Sequence, residues 1–342
     1  MKFLQSLSLD AMYICVSDVV VNLHTKKKYM RDTSDQSPVV ESAGVTIVSI
    51  CISNDQTLLL AAYSNKFIYC FDLSDGRVIG KLLMKKKPTA LVHMSLVGYG
   101  DSKGGIVLVS DKEGSVSALS CPTLSKQVVV GGHTASIITD MDSVTSSISS
   151  SKDSLNFTNI GLVATADRDE KIRISQFPHF ETIQRYCLGH KSVVTSVSFL
   201  KSNSSSKALL VSCGWDRKIL LWDASSGDIL DSIDVETGRE GAAVQESSSS
   251  SSSRNAAVEV IKERAENDDE EDGNVAEEKT YDSAGAGNYP LKLVVSKNSD
   301  IIAAIYFGLN KVDVFSVVTT GTYSQFIGCN YPELFATNYA NE

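Results

Sequence analysis

The strongest constraint on this chain is a unit that repeats along it. Residues Leu210-Val211-Ser212-Cys213-Gly214-Trp215-Asp216-Arg217-Lys218-Ile219-Leu220-Leu221-Trp222-Asp223 read as a small-residue strand, a tight turn holding Asp216, and a second strand ending in Trp-Asp. Gly189-His190 stands upstream, its histidine 26 residues before Asp216, and Val193 to Leu200 between them alternates as a half-buried strand does. Val163-Ala164-Thr165-Ala166-Asp167-Arg168-Asp169-Glu170-Lys171-Ile172-Arg173-Ile174-Ser175 repeats the frame, with Asp169 at the place of Asp216 and Gly132-His133 upstream. Looser copies run over Met12 to Leu23, Leu60 to Asp72, Val109 to Leu119 and Ile302 to Phe315. Short strands at this spacing, bounded by turn residues, predict four-stranded blades set radially.

Gly-His at the start of a unit and Trp-Asp at its end form the WD-repeat signature, so the expected fold is all-β, a WD-repeat β-propeller with about six blades visible. Two inserts interrupt it. Ser143 to Asn156 is serine-rich and predicts a surface loop in blade four. Residues 236–287 hold the serine run Ser247–Ser253 and the acidic run Glu266–Asp272; with so little apolar surface to offset ordering entropy, this segment is expected to be disordered. The division is therefore 1–235 for blades one to five, 236–287 for the insert and 288–342 for the C-terminal blade or blades. Only 27 residues follow Phe315. That predicts a short or incomplete last blade, with the termini combining to finish it or the chain truncated.

The formal net charge of −9 looks unsuited to a nucleic-acid partner until it is located. Residues 254–282 carry 11 acidic and 4 basic side chains, which leaves 30 acids and 28 bases elsewhere. The remainder is nearly neutral and need not repel RNA. Its basic runs, Lys26-Lys27-Lys28 and Lys85-Lys86-Lys87, are the candidate phosphate contacts, although a solvated loop is the simpler account of either. The cysteines at 15, 51, 70, 121, 187, 213 and 329 are scattered with no C-x-x-C pair, which predicts reduced, buried thiols and no metal site. An apolar signal region is lacking at the N-terminus, and no apolar stretch approaches spanning length, so a nuclear or cytosolic location is expected.

Two apparent chemical motifs dissolve on inspection. His190, Ser212 and Asp216 resemble a hydrolytic triad. In a WD repeat, however, these residues and Trp222 form a buried hydrogen-bond chain that fixes the blade. His133, Thr165 and Asp169 are expected to repeat it, incompletely, since Ser175 replaces the tryptophan. Gly98-Tyr99-Gly100-Asp101-Ser102-Lys103-Gly104-Gly105 matches neither phosphate-loop fingerprint, because Lys103 stands at the third glycine position and no Gly-Lys-Ser/Thr follows. A hairpin turn is expected there, and no catalytic residue is assigned.

The run Thr165 to Ser175, followed by Cys187-Leu188-Gly189-His190, closely resembles the WD-repeat non-catalytic subunit of the eukaryotic tRNA guanine-N7 methyltransferase. The likeness is specific from about Gly161 to Leu200 and looser on either side, and it departs in the insert and the early C-terminus. It implies seven blades and a heterodimer in which this chain binds and stabilises the catalytic subunit for N7-methylguanosine formation in the tRNA variable loop. It further implies a nuclear location, no cofactor on this chain, the methyl donor on the partner, and tRNA as a ligand of the complex. Asp167, Arg168, Asp169, Glu170, Lys171 and Arg173 put six charges into seven positions. Arg173, assisted by Lys171 and flanked by Glu170 and Arg168, is the candidate salt-bridge donor to a partner carboxylate. The rival reading is a generic scaffold, such as a ubiquitin-ligase substrate receptor, since fold alone does not fix function.

Overall fold

The computed structural model describes residues 2–3, 13–31, 44–95, 105–125, 127–146, 160–200, 208–235, 290–295, 301–306, 312–320 and 323–328. The chain divides into two units, Met1–Gly241 with Asn288–Glu342, and Ala242–Gly287. Every described residue belongs to the first; the predicted insert at 236–287 lies outside the described residues.

Among the described residues there are strands and no helix, arranged as six four-stranded antiparallel sheets whose strands follow chain order. Blade 1 holds β1 (Lys2–Phe3), β2 (Tyr13–Val16), β3 (Val19–Asn22) and β4 (Lys28–Met30). Blade 2 holds β5 (Ile47–Ile52), β6 (Leu58–Tyr63), β7 (Phe67–Asp72) and β8 (Val78–Leu83). Blade 3 holds β9 (Pro88–Met94), β10 (Ile106–Asp111), β11 (Ser115–Ser120) and β12 (Gln127–Gly132). Blade 4 holds β13 (Ile138–Ser146), β14 (Ile160–Asp167), β15 (Lys171–Phe177) and β16 (Ile183–Leu188). Blade 5 holds β17 (Val194–Leu200), β18 (Leu209–Gly214), β19 (Lys218–Asp223) and β20 (Ile229–Asp234). Blade 6 holds β21 (Pro290–Val295), β22 (Ile301–Tyr306), β23 (Val312–Thr320) and β24 (Tyr323–Gly328).

Two expectations need correction. The last visible blade is not short: Phe315 lies inside β23, and the residues after it suffice to complete that strand and supply all of β24. No described strand is exchanged between the ends of the chain, since β1 pairs β2 within blade 1. The serine-rich insert also begins later than its composition suggests. Ser143 to Ser146 pair with β14 as part of β13, because a strand accepts serines where the neighbouring ladder satisfies their backbone; residues 147–159 lie outside the described residues. The glycine-rich stretch connects β9 to β10, which pair antiparallel as a hairpin connection requires, with residues 96–104 outside the described residues.

Strand periodicity builds the core between blades. In β6, Leu59, Ala61 and Tyr63 pack towards blade 1, whereas Leu58, Leu60 and Ala62 pack towards blade 3. Successive side chains point to opposite faces, so β6, in the middle of its blade, is apolar throughout and buried along its whole length. The same division repeats as five apolar clusters, one between each pair of successive blades from 1 to 6. The six described cysteines form no disulfide among the described residues and are buried in or beside these clusters, as expected, and Cys329 lies outside the described residues. Burial pushes the Cys187 and Cys213 thiols up to about 12, which keeps them protonated and inert.

Polar latches tie the innermost strands of blades 4, 5 and 6. Asp140 Oδ2 of β13 accepts the Ser196 hydroxyl at 2.7 Å and the Val197 N–H at 3.1 Å, and Lys292 of β21 reaches the same oxygen at 2.7 Å. Asp142 Oδ2 repeats the clasp two residues on, accepting from Ser198 and the Phe199 N–H, both at 2.8 Å. These buried carboxylates are satisfied by donors from the next blades and so fix blade order and spacing.

Candidate partner-binding site

Blade 5 completes its hydrogen-bond chain. Trp222 Nε1 can only donate, and does so to Ser212 Oγ at 2.8 Å. The single Ser212 hydroxyl proton is then free for His190 Nε2, 2.7 Å away, and His190 Nδ1–H donates to Asp216 at 2.9 Å. Each ring nitrogen of His190 thus has a partner. Burial acts to raise the Asp216 pKa, but hydrogen bonds from His190 and from the Lys191 and Lys218 N–H groups outweigh it and hold the carboxyl below its ordinary value. Every member is committed to the fold, and none is arranged to attack a substrate.

Blade 4 solves the same problem with a different carboxylate. The predicted partner of His133 is Asp169; the observed one is Asp167, whose Oδ2 lies 2.9 Å from His133 Nδ1, with Thr165 Oγ1 2.6 Å from Nε2. The repeat frame itself is correct. The turns of blades 2 to 5 place a left-handed residue at the same position, Lys66, Gly114, Glu170 and Arg217, which sets Asp169 opposite Asp216 in frame. What differs is the strand end. A Cβ on Gly214 would sit 3.1 Å from both Asp216 Oδ1 and His190 Nδ1, so glycine there leaves room for the turn carboxylate to reach the histidine. Blade 4 has Asp167 at that position, and its own side chain fills the space. Its other oxygen accepts the Asp169 and Lys171 N–H groups at 2.9 and 3.0 Å. Burial opposes the Asp167 charge, but His133 and these N–H donors hold its pKa down. A signal for this stands one blade earlier: Asp111, at the same strand end, accepts from Glu113 and Ser115 N–H in the same pattern.

With Asp167 committed, Arg168, Asp169, Glu170 and Lys171 are all exposed. Ser175, where the tryptophan would stand, is buried, and its hydroxyl finds no partner among the described residues. The Thr165 hydroxyl lies 3.2 Å from the Arg173 carbonyl.

Arg173 is half-buried on the face of β15 opposite to Ile172 and Ile174, which pack towards blade 5. Its guanidinium lies 5.6 Å from the centre of the Phe180 ring, a cation–π distance. Burial pushes its pKa below the ordinary value, while Tyr186, its cross-strand neighbour, and Asp167 act the other way. Its Nε is buried without an acceptor among the described residues. Beside it on the outermost strand, Tyr186 is 46% and Leu188 63% exposed. Phe180 and Tyr186 are missed by sequence reasoning because nothing in their own spacing marks them; only pairing of β15 with β16 brings Tyr186 to Arg173.

The two lysine runs part company. Lys26 and Lys28 are exposed, but Lys27 fastens blade 1 to blade 2: its Nζ donates to the Leu73 and Ser74 carbonyls at 3.3 and 2.5 Å and lies 5.7 Å from the centre of the Tyr29 ring. This run therefore sits with the turn between β7 and β8. Lys85, Lys86 and Lys87 lie in the connection from β8 to β9, at the other end of the strands; all three are exposed, with Lys86 paired to Glu113. No group of three or more His, Cys, Asp or Glu among the described residues is arranged to hold a metal ion.

Comparison with known proteins agrees with the fold. A solved chain from a mitotic checkpoint complex aligns with a TM-score of 0.56 over 94% of this chain and 78% of its own, at 12% identity, a likeness of fold alone. The non-catalytic subunit TRM82 of a tRNA (guanine-N(7)-)-methyltransferase from Vanderwaltozyma polyspora is 33% identical over 192 residues, 55% of this chain and 40% of the relative. The corresponding subunit wdr4 of Dictyostelium discoideum is 30% identical over 202 residues, 57% of this chain and 41% of the relative. The chain thus spans less than half the length of these curated relatives. The model of the tRNA methyltransferase TRM82 WD40 domain matches residues 120–280, a little under half of this chain.

Proposed function

We propose that this chain is the non-catalytic subunit of a tRNA guanine-N7 methyltransferase, binding and stabilising a catalytic subunit that carries the methyl donor. The observation that carries the reading is the Arg173 guanidinium, half-buried with an Nε that has no acceptor among the described residues, set among exposed charges at 168–171 and beside exposed Tyr186 and Leu188. A buried donor without a partner calls for one, and a carboxylate from the catalytic subunit supplies it, with Lys171 assisting and the Tyr186 and Leu188 side chains giving apolar contact. Arginine and tyrosine are the residue types that anchor protein interfaces. The names of the relatives support the same assignment. In this reading the chain holds no cofactor and acts in the nucleus, where a fluorescent fusion should accumulate.

The test is co-expression with the host's guanine-N7 tRNA methyltransferase, scoring tRNA methylation by each protein alone and by the pair. A stable pair whose methylation exceeds that of either component supports the reading. A chain that folds but forms no complex returns it to the class of generic WD-repeat scaffolds.

A further inference from the structure

One end of blades 2 to 5 collects positive charge that the partner-binding reading leaves unused. At this end lie the turns between the second and third strands and the connections leading into β9, β13 and β17. Backbone hydrogen bonds weld turns and connections together: Met84 N–H to the Lys66 carbonyl at 2.9 Å, Lys112 N–H to the Lys87 carbonyl at 3.0 Å, and Trp215 N–H to the Val193 carbonyl at 2.9 Å. Side-chain bonds from His133 to Asp167 and from His190 to Asp216 do the same for blades 4 and 5. On this frame Lys66, Lys85, Lys87, Lys112 and Lys191 are exposed, beside Lys171, which the partner-binding reading already uses. The exposed carboxylates in the same turns are Glu113, already paired with Lys86, and Asp169 and Glu170. At the opposite end, the described residues in the turns of the same blades expose Asp55, Asp75, Glu181 and Asp228; among the described arginines there, Arg77 faces Asp75 at 3.8 Å and Arg185 donates to the Ser225 carbonyl at 2.8 Å.

We propose that the lysine-bearing end of blades 2 to 5 is a phosphate-binding surface for RNA. The proposal deepens the methyltransferase reading and rests on it for the identity of the nucleic acid. An excess of positive charge at one end attracts a polyanion before it touches the surface. The side chains are also of the right kind: lysine is a mobile point charge suited to phosphate and depleted from protein interfaces. The exposed large apolar side chains of blades 2 to 5 lie elsewhere, on the outermost strands β8, β12, β16 and β20, with Trp215 the exception. A protein is thus served by the outer strands and the blade 4 turn, and a phosphate backbone by the lysines of blades 2, 3 and 5. The structure also chooses between the two lysine runs, since Lys26–Lys28 sits at the other end with Lys27 already engaged.

The test uses the full chain and a labelled tRNA transcript, with affinity measured across a salt series. Lys85→Ala/Lys87→Ala/Lys112→Ala removes exposed side chains while leaving the backbone bonds in place; Lys26→Ala/Lys28→Ala is the control. The triple variant should bind about tenfold or more weakly at low salt, with its log–log salt slope reduced by about 0.7–0.9 for each phosphate it no longer neutralises, while the control keeps the wild-type affinity and slope. Trp222 is fully buried and Trp215 38% exposed, so RNA should change the fluorescence of Trp215. Unchanged affinity and slope in the triple variant would overturn the proposal. So would a triple variant that loses the catalytic subunit but keeps the RNA slope, which would give this surface to the protein. Failure of the methyltransferase reading is separately visible, as absence of a complex with the wild-type chain.

Discussion

Blades 4 and 5 are adjacent copies of one unit that meet the same internal demand in different ways. In blade 5 the turn carboxylate, Asp216, serves the histidine, Gly214 leaves it room, and Trp222 ends the chain with a donor. In blade 4 the carboxylate moves back to Asp167, Ser175 replaces the tryptophan, and Arg173 replaces Leu220, a residue buried in the core of blade 5. Blade 5 is optimised inwards. Among the described residues, blade 4 leaves a buried hydroxyl and a guanidinium nitrogen without partners and frees a whole turn of charges for solvent. Departures from local consistency of this kind are expected at functional sites, and two of them, at Arg173 and Ser175, share β15.

Substitutions can break this contrast. The largest effect is expected from Trp222→Ala, which removes a fully buried aromatic and the donor to Ser212; urea unfolding should show a loss of about 3–5 kcal/mol. A loss below about 1 kcal/mol would mean that blade 5 is not the better-packed unit. Asp167→Ala strands His133 and two backbone N–H groups and should cost about 1–3 kcal/mol, whereas Asp169→Ala, at an exposed turn position, should stay within about 0.5 kcal/mol. Equal or reversed losses would restore Asp169 as the network residue.

The acid response sharpens the comparison further. Asp167 and Asp216 both have pKa values held below the ordinary carboxylate value. Each therefore contributes stability that is fully present above the unfolded-state pKa, about 4, and is lost as pH falls through the lowered folded-state value. Asp167→Asn/Asp216→Asn should be less stable than wild type at pH 7, with the gap narrowing below about pH 4 in urea midpoints; a constant gap would show that neither carboxylate is linked to folding. The smallest effect belongs to Ser175→Ala, which removes a buried hydroxyl that has no partner among the described residues and should be neutral or stabilising by up to about 1 kcal/mol, while Ser212→Ala in the completed chain should cost about 1–3 kcal/mol. Similar losses at both positions would show that Ser175 is satisfied after all.

Blade architecture is legible in the sequence because period-2 apolar strands and turn residues recur at a fixed spacing, and Trp222, His190 and Ser212 can be placed from the signature alone. Less legible is the choice between two aspartates in Asp167-Arg168-Asp169, because that depends on whether the strand end carries glycine or a side chain long enough to fill its own gap. The pairing of Arg173 with Phe180 and Tyr186 is set by register across β15 and β16, which no local pattern encodes. The completeness of blade 6 is hidden because Phe315 ends the repeat frame yet lies in the middle of β23. The sidedness of the two lysine runs depends on which end of a strand each connection leaves, and Lys27 shows how a basic residue in such a run can be committed to the fold.

The central claim, that the freed turn and Arg173 of blade 4 form the docking site for the catalytic subunit, is tested most directly by calorimetric titration of that subunit into wild-type chain and into Arg173→Ala, with circular dichroism as the control for folding. Loss of one partner of a desolvated ion pair costs about 2–5 kcal/mol, so a folded Arg173→Ala should bind at least about 30-fold more weakly than wild type. A folded variant that binds with the wild-type Kd would contradict the claim.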